Sequence, residues 1–111
     1  MNKQELRIGN WVAFKKKPKG GFDYTTLTKS CFEGDYIEKT FKPILLTKDW
    51  MVRFGFLNIV EGNIWVKKLS THYEYYYNYS SENRDKYVHE LQNSFFKLNK
   101  EELIYEKSRT N

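Results

Sequence analysis

Val88, Leu91, Phe95 and Leu98 recur at three- and four-residue intervals, the spacing that places side chains on one face of an α-helix. Tyr87 and Phe96 widen that stripe, so residues 86–98 are predicted to form one amphipathic helix against the core. Asp85 stands just ahead of it as an N-cap. Asn99 followed by Glu102 resembles a capping box, which predicts a second short helical turn from Lys100. Residues from about 106 on are polar and are expected to fray.

The rest of the chain has the shorter periods of strands. An apolar run at residues 11–14 follows Gly9 and Asn10, and residues 22–28 are rich in aromatic and β-branched side chains. These read as two strands of a hairpin whose tip, residues 15–21, contains one Pro and two Gly. Residues 36–41 alternate Tyr36, Glu38 and Thr40 with Ile37, Lys39 and Phe41, which predicts a third strand. Thr47 is a good N-cap, Asp49 suits the first turn, and Gly55 can take the left-handed conformation that ends a helix. A two-turn helix is therefore predicted over residues 47–54, with Trp50, Met51 and Phe54 on its apolar side. Apolar runs at residues 56–60 and 64–69 flank Glu61, Gly62 and Asn63 as a hairpin would. Residues 73–79 make a further strand. The order β-β-β-α-β-β-β-α gives an α+β fold: a single small domain over residues 1–105 and a tail at 106–111. The sheet is mostly antiparallel, with a short central helix and a C-terminal amphipathic helix.

Composition narrows the class. The chain has 111 residues, of which 18% are aromatic, so a core can be built from few positions. Cys31 is the single cysteine, which excludes an internal disulfide and a thiolate metal cluster and fits a reducing compartment. No secretory leader and no membrane-spanning run are recognisable, so a cytoplasmic protein without a membrane partner is expected. The net charge is +5, and residues 1–21 alone carry six Lys or Arg against one acid. Lys15, Lys16, Lys17 and Lys19 make a cluster that attracts polyanions or an acidic protein surface. A solvated loop that serves solubility is the plainer reading.

Candidate chemistry is sparse. Tyr73, Tyr75, Tyr77 and Tyr79 fall on one face of their strand, and Glu74, Tyr76 and Asn78 on the other. A tyrosine ladder suits sheet packing, a protein interface, or stacking on nucleic-acid bases. His89 beside Glu90 lacks the ligand number of a zinc site and reads as a surface or half-buried helix residue. Cys31 reads as a small buried hydrophobe. Glu101 and Glu102 sit near an exposed end, without support for acid catalysis. No phosphate-binding loop or nucleophile elbow occurs. No catalytic residue, cofactor or metal is therefore assigned.

Three phrases carry a resemblance that spans nearly the whole chain. They are ELRIGN at residues 5–10; PI-x-LT-x-x-W-x-x-x-FGF in the stretch from Pro43 to Phe56; and YVHELQN-x-FF-x-L at residues 87–98, followed by EEL at 101–103. Together they resemble a family of short proteins from Bacteroidota genomes and their phages. Members usually have Gly where Asn99 and Lys100 stand here, so the last helix is expected to be capped differently. The resemblance implies a non-catalytic phage or prophage accessory protein. Within that class it points to a counter-defence inhibitor of the anti-CRISPR type, aimed at a host RNA-guided nuclease such as a type VI-B RNA nuclease. The partner is then a host protein or ribonucleoprotein complex, with RNA contacts from the basic loop and aromatic anchors from the tyrosines. The alternatives are a stand-alone nucleic-acid-binding module, or a phage structural or assembly protein.

Overall fold

The computed structural model describes residues 3–15, 22–60, 64–77 and 85–105. They form two three-stranded antiparallel sheets rather than one, joined by three helices, and the α+β class holds. In the first sheet β1 (Trp11–Lys15) lies between β2 (Phe22–Thr26) and β3 (Phe41–Lys42). The unbroken apolar run of β1 is that of a strand covered on both sides. Ala13 belongs to the main core and Trp11 packs against it. Val12, fully buried, joins a smaller core with Leu6, Leu27, Ile37 and Phe41, and Phe14 packs on that side.

The strand predicted at residues 36–41 is instead a helix, α1 (Tyr36–Thr40), which runs into the two residues of β3. Ile37 and Phe41 are both buried, and a separation of four serves a helical face as well as an alternating one. Lys39 decides between the readings. Its side chain is 75% exposed and pairs with Asp35 at 3.1 Å, a helical i,i+4 contact, and so does not share a strand face with Ile37.

The central helix, α2 (Lys48–Arg53), starts as its sequence requires, with Thr47 Oγ1 accepting from Trp50 N at 3.4 Å. It ends on Gly55 at φ 86°. Gly55 N donates to Val52 O at 2.9 Å and Phe56 N to Met51 O at 3.0 Å, the paired bonds of a Schellman cap. Phe54 and Phe56 on either side of that glycine are almost wholly buried.

In the second sheet β5 (Ile64–Lys68) lies between β4 (Leu57–Val60) and β6 (Tyr73–Tyr77). The predicted turn at residues 61–63 lies outside the described residues. Trp65 and Tyr76, opposite each other across β5 and β6, point into the main core.

The last helix, α3 (Val88–Asn99), begins two residues later than predicted. Tyr87 is its N-cap residue, and Glu90 Oε1 reaches back to accept from Lys86 N at 2.8 Å and Tyr87 N at 2.9 Å. Asp85 therefore does not cap it; its Oδ1 accepts from Ser94 Oγ at 3.1 Å. The helix buries Val88, His89, Leu91, Gln92 and Phe95. Leu98 is 73% exposed, because the buried face centres on Val88, Gln92 and Phe95 and Leu98 falls about a quarter-turn away. Lys100, in the left-handed conformation at φ 58°, closes the helix by donating its N–H to Phe96 O at 2.8 Å. The predicted second helical turn does not form. The predicted tail at 106–111 lies outside the described residues.

Candidate binding surface

The segments around residues 5–10 and 87–98 meet in space and bond to one another. Asn10 and Gln92, at 1% and 2% exposure, are the centre of the contact. Asn10 Oδ1 accepts from Arg7 N at 2.7 Å, and its Nδ2 donates to Asn93 Oδ1 at 2.9 Å. Gln92 Oε1 accepts from Trp11 N at 2.8 Å, and its Nε2 donates to Gly9 O at 3.1 Å. Arg7 Nε donates to Asn93 Oδ1 at 2.7 Å, while its two terminal nitrogens reach Glu102 at 2.6 and 3.2 Å. The guanidinium also lies 4.6 Å from the centre of the Phe96 ring, a cation–π contact. Glu102, expected to close a capping box, is thus a partner of Arg7. The segment at residues 43–56 supplies Thr47, Trp50, Phe54, Gly55 and Phe56, whose work is the cap and core of α2. These residues hold the fold together and leave little side-chain chemistry for a ligand.

A second internal junction gathers around Trp50. Its ring lies 5.7 Å from that of Trp11, 5.4 Å from Tyr24 and 5.8 Å from Tyr105. Arg53 lies 5.6 Å from both the Trp50 and Tyr105 rings and donates to Tyr105 Oη at 2.5 Å. Its Nε pairs with Asp49 at 2.8 Å. The segment after α3 is thereby fastened at both Glu102 and Tyr105.

The predicted site residues divide sharply. Lys15 ends β1, its backbone opposite Phe22; its side chain, together with Lys16, Lys17, Lys19 and Tyr79, lies outside the described residues. The side chain of Tyr77 does so too, although its backbone pairs with Ile64. Tyr73 and Tyr75 are exposed, at 56% and 45%, whereas Tyr76 is a core residue. The strand alternation thus gives the open side to Tyr73 and Tyr75. Across the sheet Tyr75 is opposite Val66, and Val66 is opposite Leu57. Leu57 is 69% exposed and Val66 half-buried. On the same side Tyr73 stands opposite Lys68, which is exposed. The result is one open sheet face made of a cross-strand row of Leu57, Val66 and Tyr75, with Tyr73 and Lys68 beside it. Leu57 and Val66 carry no polar signal in the sequence, and their apolar runs read only as the two strands of a hairpin, with no face assigned.

The remaining titratable groups are placed differently from expectation. His89 is buried rather than on the surface or half-buried: it is 2% exposed and stacks on Tyr87 at 5.8 Å with the rings 8° from parallel. Its Nδ1 has no hydrogen-bond partner among the described residues. Burial pushes its pKa below the ordinary value, and Glu90, Glu5 and Asp85 pull back in the other direction. Cys31, expected to be buried, is half-exposed in a 3₁₀ turn, with Sγ 3.4 Å from Thr28 Oγ1. Among the described residues no three His, Cys, Asp or Glu side chains are grouped to hold a metal ion. None of the described helices is long and apolar enough to cross a membrane. Compared with protein-family models, curated proteins and solved structures, the chain finds no match.

Proposed function

We propose that this chain is a non-catalytic accessory protein of a phage or prophage, a counter-defence inhibitor that binds a host RNA-guided nuclease complex. The open face of the β4–β6 sheet is the proposed contact surface. One observation carries the reading: Tyr73 and Tyr75 stand exposed over a cross-strand row of apolar side chains. Tyrosine brings a large, stiff, amphipathic contact area at low entropic cost, and it is enriched among interface hot spots. Exposed apolar groups side by side mark interaction sites in a way that scattered ones do not. The net charge of +5 would steer the protein toward an RNA-loaded complex.

Affinity capture from a susceptible host, with and without nuclease treatment, tests this. The wild-type chain is expected to recover a nuclease that survives the treatment. The Tyr73→Ala/Tyr75→Ala variant is expected to lose about 2 kcal/mol or more of affinity, with its thermal midpoint little changed. Recovery of no nuclease or guide complex overturns the reading. Binding that disappears on nuclease treatment, and that weakens with salt at a slope near −0.7 to −0.9 per phosphate contact, replaces it with a nucleic-acid-binding module.

A further inference from the structure

Polar side chains converge where β6 begins and α3 ends. Leu69 N donates to His72 O at 2.8 Å, which closes the turn between β5 and β6 and presents Thr71 and His72 together. His72 and Glu74 are two apart, so strand alternation turns both to the side that carries the core residue Tyr76. Asn99, half-buried, is the last residue of α3. His72 Nε2 lies 3.1 Å from Asn99 Oδ1 and 3.6 Å from Glu74 Oε1. An amide oxygen and a carboxylate oxygen thus stand at one imidazole nitrogen. The His72 side chain is 47% exposed, so the cluster opens to solvent.

We infer that this cluster binds a zinc ion through His72 Nε2, Glu74 Oε1 and Asn99 Oδ1, with water completing the four positions. The spacing fits. Zinc bonds nitrogen and oxygen at about 2.1 Å in a tetrahedron, which sets its ligand atoms about 3.4 Å apart. The two distances from Nε2 fall on either side of that value. The third ligand is an amide oxygen, so the cluster lies outside any grouping of His, Cys, Asp and Glu alone. Two of the ligands are also held from behind. Asn99 Nδ2 donates to Phe95 O at 3.3 Å, which leaves Oδ1 as the atom turned to His72. His72 Nδ1 lies 3.0 Å from Thr71 Oγ1. In the ion-free chain Nε2 carries the ring proton, since Asn99 Oδ1 can only accept. When zinc binds, that proton leaves Nε2 and one is taken up at Nδ1, so a neutral ring stays neutral. Nδ1 then donates to the Thr71 hydroxyl, the kind of outer contact that orients a metal-bound histidine. The imidazole nitrogen favours zinc over magnesium and calcium, which prefer all-oxygen sites. Bound there, the ion fastens the start of β6 to the end of α3, beside the exposed Tyr73. The site does not depend on the binding function proposed above.

The test titrates the untagged, isotope-labelled full chain with zinc chloride and, separately, with magnesium chloride, and follows the amide shifts. Saturable shifts centred on residues 71–74 and 95–100 are expected with zinc only. His72→Gln is expected to abolish them, and Glu74→Gln and Thr71→Val to weaken zinc binding about tenfold or more. Thr71→Ser, which keeps the hydroxyl, is expected to bind as wild type does, and so is Cys31→Ser. Wild-type-like spectra without zinc show that each variant is folded. No saturable shift with zinc, an equal response to magnesium, or binding that survives His72→Gln overturns the site. Loss of zinc binding in Cys31→Ser overturns it too, as do shifts centred on carboxylates elsewhere, such as Glu33, Glu38 or Asp49. Wild-type affinity in Thr71→Val overturns the positioning role given to Thr71.

Discussion

The two sheets are alike in strand number and pairing and opposite in how they are covered. β1 buries Val12 on one side and Ala13 on the other, so its sheet has no free face at that strand. β5 and β6 bury Trp65 and Tyr76 on one side, while Leu57, Tyr73 and Tyr75 stand open on the other. The first sheet is also clasped to α3 by the Asn10–Gln92 contacts. A sheet with both faces covered contributes stability and little surface. One with a single covered face has side chains left over for recognition. The difference separates the residues that make the protein fold from those most suited to make it bind.

That contrast can be broken at several points. Asn10→Ala leaves the Arg7 N–H without its acceptor and takes one donor from Gln92 and Asn93 at a buried junction. It is expected to lower unfolding free energy by about 3 kcal/mol in urea denaturation. Val12→Ala is expected to cost about 2 kcal/mol, whereas Leu57→Ala on the open face should stay within about 0.5 kcal/mol. Similar costs at the two positions would mean that the open face is covered after all. Lys100→Gly relieves a left-handed residue that has a Cβ and is expected to stabilise by about 1 kcal/mol, seen as a raised thermal midpoint. His89 gives a pH test. Its folded pKa lies below the unfolded one, so the unfolded state takes up a proton first as pH falls through the unfolded value near 6.5. The contribution of neutral His89 is fully present above that pH and declines below it. His89→Gln is expected to flatten the difference between denaturation curves at pH 7.5 and 5.5, relative to wild type.

The elements whose local chemistry agreed with their packing were legible in the sequence. Thr47 and Gly55 mark both ends of α2, and the run from Trp11 to Phe14 announces a buried strand. Residues 36–41 misled because Ile37 and Phe41 satisfy two periods at once, and the ion pair that favours the helix is a weak signal in sequence. Leu98 misled because polar Gln92 and His89 are drawn inward. Gln92 is held there by bonds to residues 9 to 11, partners that lie more than 80 positions away. The open face escaped for a related reason. Leu57 and Val66 stand in apolar runs that assign no face, and only strand register shows that they share a side with Tyr75. The alternation that exposes Tyr73 and Tyr75 was plain, but which side faced outward depended on Trp65 opposite Tyr76.

The Arg7 contacts have a bearing on how the chain reaches its native state. Its bonds to Asn93 and Glu102 span 86 and 95 positions, so they close some of the longest loops available to this chain. Such closures are entropically costly and contribute little until most other structure is in place. The N-terminal hairpin can pair early, but its seat against α3 forms only after residues 92 to 102 have emerged and become helical or docked. Until then Asn10 and Trp11 lack the side-chain partners that α3 supplies in the native state. A pulse-labelling hydrogen-exchange experiment should therefore find the Trp11 amide among the last in its sheet to gain protection.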